Sequence, residues 1–150
     1  MIPGSGITVS NGLVYADSKN GSMYAINENT GTLAWTTPIG TPSNGDVSSQ
    51  AVAVNGVLYV GSINTNVYAI NASTGAVLWK TATGSGIDSS PAIANGVVYI
   101  GSFDHKIYAL NANTGAILWS LYYRQSCVFL PHHRQRLALL WLHRWQVLCL

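Results

Sequence analysis

Through residue 120 the chain has no cysteine and no arginine, and its charge is thin. Three lysines (Lys19, Lys80, Lys106) stand against five acids (Asp17, Glu28, Asp46, Asp88, Asp104), a net charge of −2. Such a surface gives a polyanion little to neutralise, which argues against nucleic-acid binding. The missing cysteines remove disulfides and thiolate metal ligands from any account of these residues. Long hydrophobic runs are lacking as well. The opening MIPGSGITVS has neither a basic segment nor an apolar run of secretory length, so no signal peptide is expected in it, and Met1 is not expected to be the natural start. Near the other end, RLALLWLHRWQVLCL is 15 residues long, short of the roughly 20 that span a bilayer as a helix. No Gly-rich phosphate loop, nucleophile triad or metal-ligand spacing stands in residues 1–120.

What is present is one sentence repeated. Residues 95–119 read NGVVYIGSFDHKIYALNANTGAILW, residues 55–79 match them at 15 of 25 positions and residues 11–35 at 12, with start points stepping by 44 and 40 residues. A period near 40 marks a repeat architecture, whose units must stack to bury their faces. Asn95-Gly96, between apolar runs, signals a two-residue hairpin with positive φ at both centres, and Asn55-Gly56 and Asn11-Gly12 repeat it. The spacing predicts strands at 91–94, 97–102, 106–111 and 116–119, with Ile7-Thr8-Val9 before the first turn. Four short antiparallel strands per unit describe a propeller blade. The runs VVYI, IYAL and AILW are apolar on both strand faces, as suits a sheet covered on both sides by its neighbours. The fold class is therefore all-β, a partial β-propeller of four-stranded antiparallel blades with three in-frame repeats. Pro91, lacking a backbone donor, belongs at a strand start or sheet edge. The segment between Trp35 and Asn55 is four residues longer than its counterpart after Trp79, and the excess is expected in a surface loop.

Ala109 to Trp119, ALNANTGAILW, resembles the Ala-x-Asp-x-x-x-Gly-x-x-x-Trp docking motif of PQQ-like β-propeller repeats. Residues 25–35 and 69–79 carry it in phase. Asn27, Asn71 and Asn111 replace the family's usual Asp, a neutral change that keeps the loop's hydrogen bonds available. The family includes quinoprotein dehydrogenases and non-enzymatic relatives such as the outer-membrane assembly lipoprotein. The resemblance implies that Trp35, Trp79 and Trp119 pack against the adjacent blade as structural residues. It also implies a larger parent ring of about eight blades, and Ser89-Ser90-Pro91 is a further signature of the family's blades.

The last thirty residues break the pattern. Residues 121–150 contain no Gly, Asn, Thr or Asp, yet hold all four arginines, both cysteines (Cys127, Cys149) and three of the four histidines (His132, His133, His143). Their phase matches a fourth blade read one nucleotide out of frame. Trp has a single codon, whose shifted reading always gives Gly, so Trp141 becomes Gly in register with Gly101, and Trp145 becomes Gly at a hairpin turn. Overall, 14 of 21 positions from Phe129 can encode the third repeat without a gap. We expect residues 121–150 to be a frame-shifted fourth blade, with the slip near Ser120 or Leu121, and not a functional domain. Its His and Cys residues then carry no metal or redox meaning.

In residues 1–120 the acids are scattered singly. Asp17 and Asp104 fall near the second hairpins, Glu28 in a docking loop, Asp46 and Asp88 between units, and all five read as solvated turn acids. Asp17, standing where Gly61 and Gly101 stand, reads as an edge-blade substitution; His105 reads as a solvated hairpin residue. No catalytic, cofactor-binding or metal-binding residue is assigned, and neither PQQ nor calcium is expected in this chain. The functional expectation is a fragment of a non-enzymatic propeller acting as a binding or scaffold module, with an unknown protein or cell-surface partner. By resemblance it would be periplasmic, envelope-bound or extracellular. Two alternatives stay open: a fragment of a PQQ-dependent dehydrogenase, for which PQQ and calcium would be needed, and the sensor propeller of a larger signalling protein. Uncovered blade faces would favour self-association.

Overall fold

The computed structural model describes residues 3–18, 20–40 and 49–122. They form three four-stranded antiparallel sheets, each a meander in sequence order. The first blade is β1 (Pro3–Ser10), β2 (Leu13–Ser18), β3 (Ser22–Asn27) and β4 (Leu33–Pro38). The second is β5 (Val52–Val54), β6 (Val57–Gly61), β7 (Asn66–Asn71) and β8 (Val77–Ala82). The third is β9 (Ala92–Ala94), β10 (Val97–Ser102), β11 (Lys106–Asn111) and β12 (Ile117–Tyr122). Residues 41–48, with the expected surface excess, and residues 123–150, with most of the expected frame-shifted blade, lie outside the described residues, as do Lys19 and Asp46.

The hairpins follow from the sequence. Asn11, Asn55 and Asn95 have φ of 52, 50 and 51°, and Gly12, Gly56 and Gly96 have φ of 79, 77 and 75°, the paired positive values that match the twist of the flanking strands. Pro91 directly precedes β9, an edge strand, so its missing N–H interrupts no ladder. The fourth strand differs from its expected span. It begins one residue later and ends three later than 116–119, because the register shifts between Ala109 and Leu110 and the pairing then runs on from Ala109↔Trp119 to Lys106↔Tyr122.

Between the first two blades lies a core of Tyr15, Met23, Ile39, Leu58, Val60 and Ile70. Between the second and third lies one of Tyr59, Val67, Ile87, Val98, Ile100 and Leu110. Side chains alternate across each strand, so Tyr59 and Val67 face forward to the third blade while Leu58, Val60 and Ile70 face back to the first. Among the described residues only the middle blade is covered on both faces, and β6 and β7 are accordingly buried almost throughout. On the third blade, β12 is exposed along its whole length.

Candidate functional site

The repeated motif builds a latch at each junction. In the loop after β7, the Asn71 side-chain oxygen accepts from the backbone N–H groups of Ser73 and Thr74, both at 3.0 Å, and Gly75 closes the turn on the Asn71 carbonyl at 2.9 Å. This aims the Ala72 carbonyl at the first blade. There it accepts from the Trp35 indole N–H at 3.0 Å and the Tyr15 hydroxyl at 3.1 Å, while the Thr37 hydroxyl donates to the Gly75 carbonyl at 2.6 Å. The second junction repeats the arrangement. Ala112 O accepts from Trp79 at 2.9 Å and Tyr59 at 3.2 Å, and Gly115 O accepts from Thr81 at 2.7 Å. Glycine is required under the indole: a Cβ on Gly75 would lie 2.7 Å from Trp35, and one on Gly115 2.6 Å from Trp79. The expectation that Trp35 and Trp79 pack on the adjacent blade therefore holds, and the Asn-for-Asp variant keeps the loop bonds.

Among the described residues the carboxylates form no cluster that could hold a metal ion. Asp104 sits four residues before Tyr108, as Asn64 does before Tyr68 and Asn20 before Tyr24, and all three side chains meet the tyrosine hydroxyl. Asn64 donates to that oxygen and to the Ile39 carbonyl, whereas Asp104 accepts from Tyr108 and from the Gly84 N–H at 3.1 Å. Lys106 Nζ lies 3.9 Å from the same carboxylate. Partial burial opposes the charge on Asp104, but hydrogen bonds from Tyr108, the Lys106 N–H and Ser102, with the nearby ammonium, outweigh it and hold the carboxyl below its usual value. Burial, reinforced by the bond to Asp104, pushes the Tyr108 hydroxyl up; burial alone raises Tyr15 and Tyr59.

Asp17 corrects the sequence reading. It is not a solvated turn acid, because the residue is only 2% exposed. It lies on β2 opposite Met23, where the second and third blades have Gly61 and Gly101. Asp104 is likewise engaged rather than freely solvated. Glu28 and Asp88 are exposed, as expected of turn acids, and His105 is an exposed hairpin residue with φ of 64°. Among the described residues no group of three or more His, Cys, Asp or Glu could hold a metal ion, and no helix is long and apolar enough to cross a membrane.

Beyond the threonine latches and the Asp104 contacts, two further features escaped the sequence reading. Ser49 and Ser89 each clamp an inner-strand glycine from both sides: the Ser49 hydroxyl accepts from Gly61 N at 2.7 Å and donates to Gly61 O at 3.1 Å, and Ser89 treats Gly101 alike at 2.9 Å in both directions. The Ser-Ser-Pro signature pointed toward this without giving the bond. The second is a mostly apolar hollow of about 310 Å³ on the third blade, lined by Asp88, Ser89, Gly101, Ser102, Phe103, Lys106 and Ile107. At the second junction the corresponding space over Gly61 is filled by Ile87.

The fold has counterparts among known proteins. The family model described as outer membrane protein assembly factor BamB matches residues 19–142. The chain belongs to this PQQ-like β-propeller repeat family. Solved structures with the same fold include BamB from Moraxella catarrhalis, at 22% identity and a TM-score of 0.66, covering 81% of this chain and 37% of that one. The quinohemoprotein alcohol dehydrogenase ADHIIG from Pseudomonas putida HK5 is 23% identical with a TM-score of 0.67, covering 79% of this chain and 20% of its own. A europium-containing methanol dehydrogenase gives 21%, 0.66, 78% and 24% respectively. The chain thus spans well under half the length of each. No curated protein matches it in sequence.

Proposed function

We infer that this chain is part of a non-enzymatic PQQ-like repeat propeller that serves as a protein-binding scaffold at the cell envelope. The observation that carries the reading is the match of residues 19–142 to the family described as an outer membrane protein assembly factor. The disposition of polar groups supports it. Binding a quinone with calcium needs several oxygen ligands converging on one point, and a dehydrogenase needs a base within reach of substrate. Here Asp104 is tied to Tyr108 and to the connector before the third blade, the junction hydroxyls of Tyr15, Tyr59, Thr37 and Thr81 serve as latches, and among the described residues no three or more acids or histidines gather as a metal site would need. A protein-binding role is also supported at the rim. The outer edge strands β4, β8 and β12 expose an apolar residue at one repeated position, Leu33, Val77 and Ile117, joined by Leu78 and Leu118 at the next. Successive blades thereby present a repeated apolar band beside unpaired strand edges, which suits a protein partner.

The second reading, a piece of a quinoprotein dehydrogenase, draws on the likeness in fold to the two dehydrogenases. Titrating the chain with pyrroloquinoline quinone and calcium, followed by absorbance and quenching of tryptophan fluorescence, separates the two. The scaffold reading expects no saturable change. Saturation at micromolar quinone, lost in Asp17→Ala or Asp104→Ala, would establish the enzymatic reading instead.

A further inference from the structure

Four Asn-Gly pairs lie among the described residues, and the fold holds them in two different states. Three are the turns that join the first and second strands of each blade, Asn11-Gly12, Asn55-Gly56 and Asn95-Gly96. Among the described residues no hydrogen bond engages the side chain of Asn11, Asn55 or Asn95, and none is donated by the N–H of Gly12, Gly56 or Gly96. Nothing lies within 4 Å of a Cβ built on any of these three glycines. The fourth pair, Asn20-Gly21, is tied down. Asn20 Oδ1 accepts from Ser22 N at 3.1 Å, its Nδ2 donates to the Tyr24 hydroxyl at 2.7 Å, and Gly21 N donates to the Ser18 carbonyl at 2.9 Å. Gly21 is buried, and its carbonyl accepts from Ile39 N and Gly40 N, both at 2.8 Å.

A free side-chain amide next to a free, unshielded main-chain N–H can be attacked by it, and the hairpin offers a route. Rotating the central peptide of a type I′ turn gives type II′, which takes ψ of the first central residue from about +30° to about −120° while both strands stay in place. In that orientation the glycine nitrogen swings beside the asparagine Cγ, and glycine accepts the reversed φ that the rotation requires. The conformer is strained for asparagine and therefore minor. We propose that Asn11, Asn55 and Asn95 convert without an enzyme to isoaspartate and aspartate, that Asn20 is protected, and that isoaspartate at position 55 or 95 loosens a blade junction. The glycine nitrogen, its proton taken by hydroxide, bonds to Cγ; the Cγ–Nδ2 bond breaks, and ammonia leaves with a proton regained from water. Water then opens the cyclic imide, at the main-chain carbonyl to give isoaspartate or at Cγ to give aspartate. The sum is a water gained and an ammonia lost, with nothing oxidised or reduced. Isoaspartate lengthens the main chain by a methylene next to Gly56, whose carbonyl holds the Ala72 N–H at 2.9 Å. The Ala72 carbonyl is in turn the acceptor for Trp35 and Tyr15. Gly96, Ala112, Trp79 and Tyr59 form the same series one blade on.

Peptide mapping by mass spectrometry, on the full 150-residue chain aged in mildly alkaline buffer, reads each pair separately, Asn44-Gly45 outside the described residues included. Conversion at Asn11, Asn55 and Asn95 should run at least about tenfold faster than at Asn20, which must first give up one or more hydrogen bonds. Enzymatic methylation of isoaspartate should label the three hairpin sites; aspartate alone would mean direct hydrolysis and would overturn the imide route. In urea the four described pairs should convert at similar rates, because the protection lies in the fold. A preference that persists in urea, or none in the folded chain, would overturn the assignment. Hydrogen exchange at the Ala72 and Ala112 amides then tests the junction. It should be faster in the aged chain than in the fresh chain and in a fresh variant carrying Asn55→Asp and Asn95→Asp, which has the added charge on a main chain of normal length. Exchange no faster than in either one, in chains shown to carry isoaspartate at both positions, would overturn the link to the junction.

Discussion

Asp104 and Asn64 hold the same place in successive repeats and reverse the direction of one hydrogen bond. Asn64 donates to the Tyr68 hydroxyl and to the Ile39 carbonyl, so its blade is the donor to the preceding connector. Asp104 accepts from the Tyr108 hydroxyl and from the Gly84 N–H, so its blade is the acceptor from the connector. The substitution is structural, and its charge has a pH signature. Because the folded carboxyl titrates below its ordinary value, the stability it contributes is present above the unfolded pKa of about 3.9. That contribution is lost as pH falls through the lower folded value. Denaturant midpoints measured between neutral pH and pH 2 should fall with acid in the native chain, and the Asp104→Asn variant should lose part of that fall. An unchanged acid limb in the variant would show that the carboxylate is not the group responsible. Asp17 teaches the opposite lesson about reading single residues. Its position near a hairpin suggested solvent, whereas strand β2 turns that side chain into the junction beside Met23, and only the partner strand's register reveals it.

Each blade is a short meander whose own hydrogen bonds leave two broad apolar faces, and the junctions decide whether those faces are buried. Trp79 and Trp119 are the same residue in the same motif, one beneath a following blade and one, among the described residues, half-exposed. Trp79→Ala removes the indole from its core, its bond to Ala112 and its cover over Gly115, and should destabilise the chain by about 3 kcal/mol or more. Trp119→Ala should cost about 1 kcal/mol, in keeping with a half-exposed side chain. Urea unfolding of both variants checks the contrast, and equal losses would contradict it. This element was the most legible part of the sequence. The Asn-Gly pairs fixed the hairpins because few other residues accept two positive φ values in a row, and the Ala-to-Trp phase located the docking loop. The hydroxyl of Thr37, the reversed clip at Asp104 and the serine clamps were not legible. Each depends on which backbone group lies opposite across a blade boundary, and no periodicity within one repeat carries that information.

At the scale of the molecule the described residues are a stack in which each blade touches only its neighbours, so stability should be close to a sum of blade and junction contributions. If residues 121–150 are a misread blade, they add no junction. A chain ending at Tyr122 should then unfold at the same denaturant concentration as the full chain, within about 0.5 kcal/mol, when both are measured in dilute solution. A clear loss of stability would mean that the tail packs on the third blade. The direction of the latches has a further consequence, for the order in which the molecule is made. Every described latch points from an earlier tryptophan to a later loop, with Trp35 reaching 37 residues ahead to Ala72 and Trp79 reaching 33 ahead to Ala112. A ribosome adding about 5–20 residues per second leaves each indole waiting roughly two to seven seconds for its acceptor, with the forward face of the newest blade open to chaperones for that interval. Synthesis therefore shuts each face in turn, and Trp119 is the one indole of the three for which, among the described residues, the wait does not end.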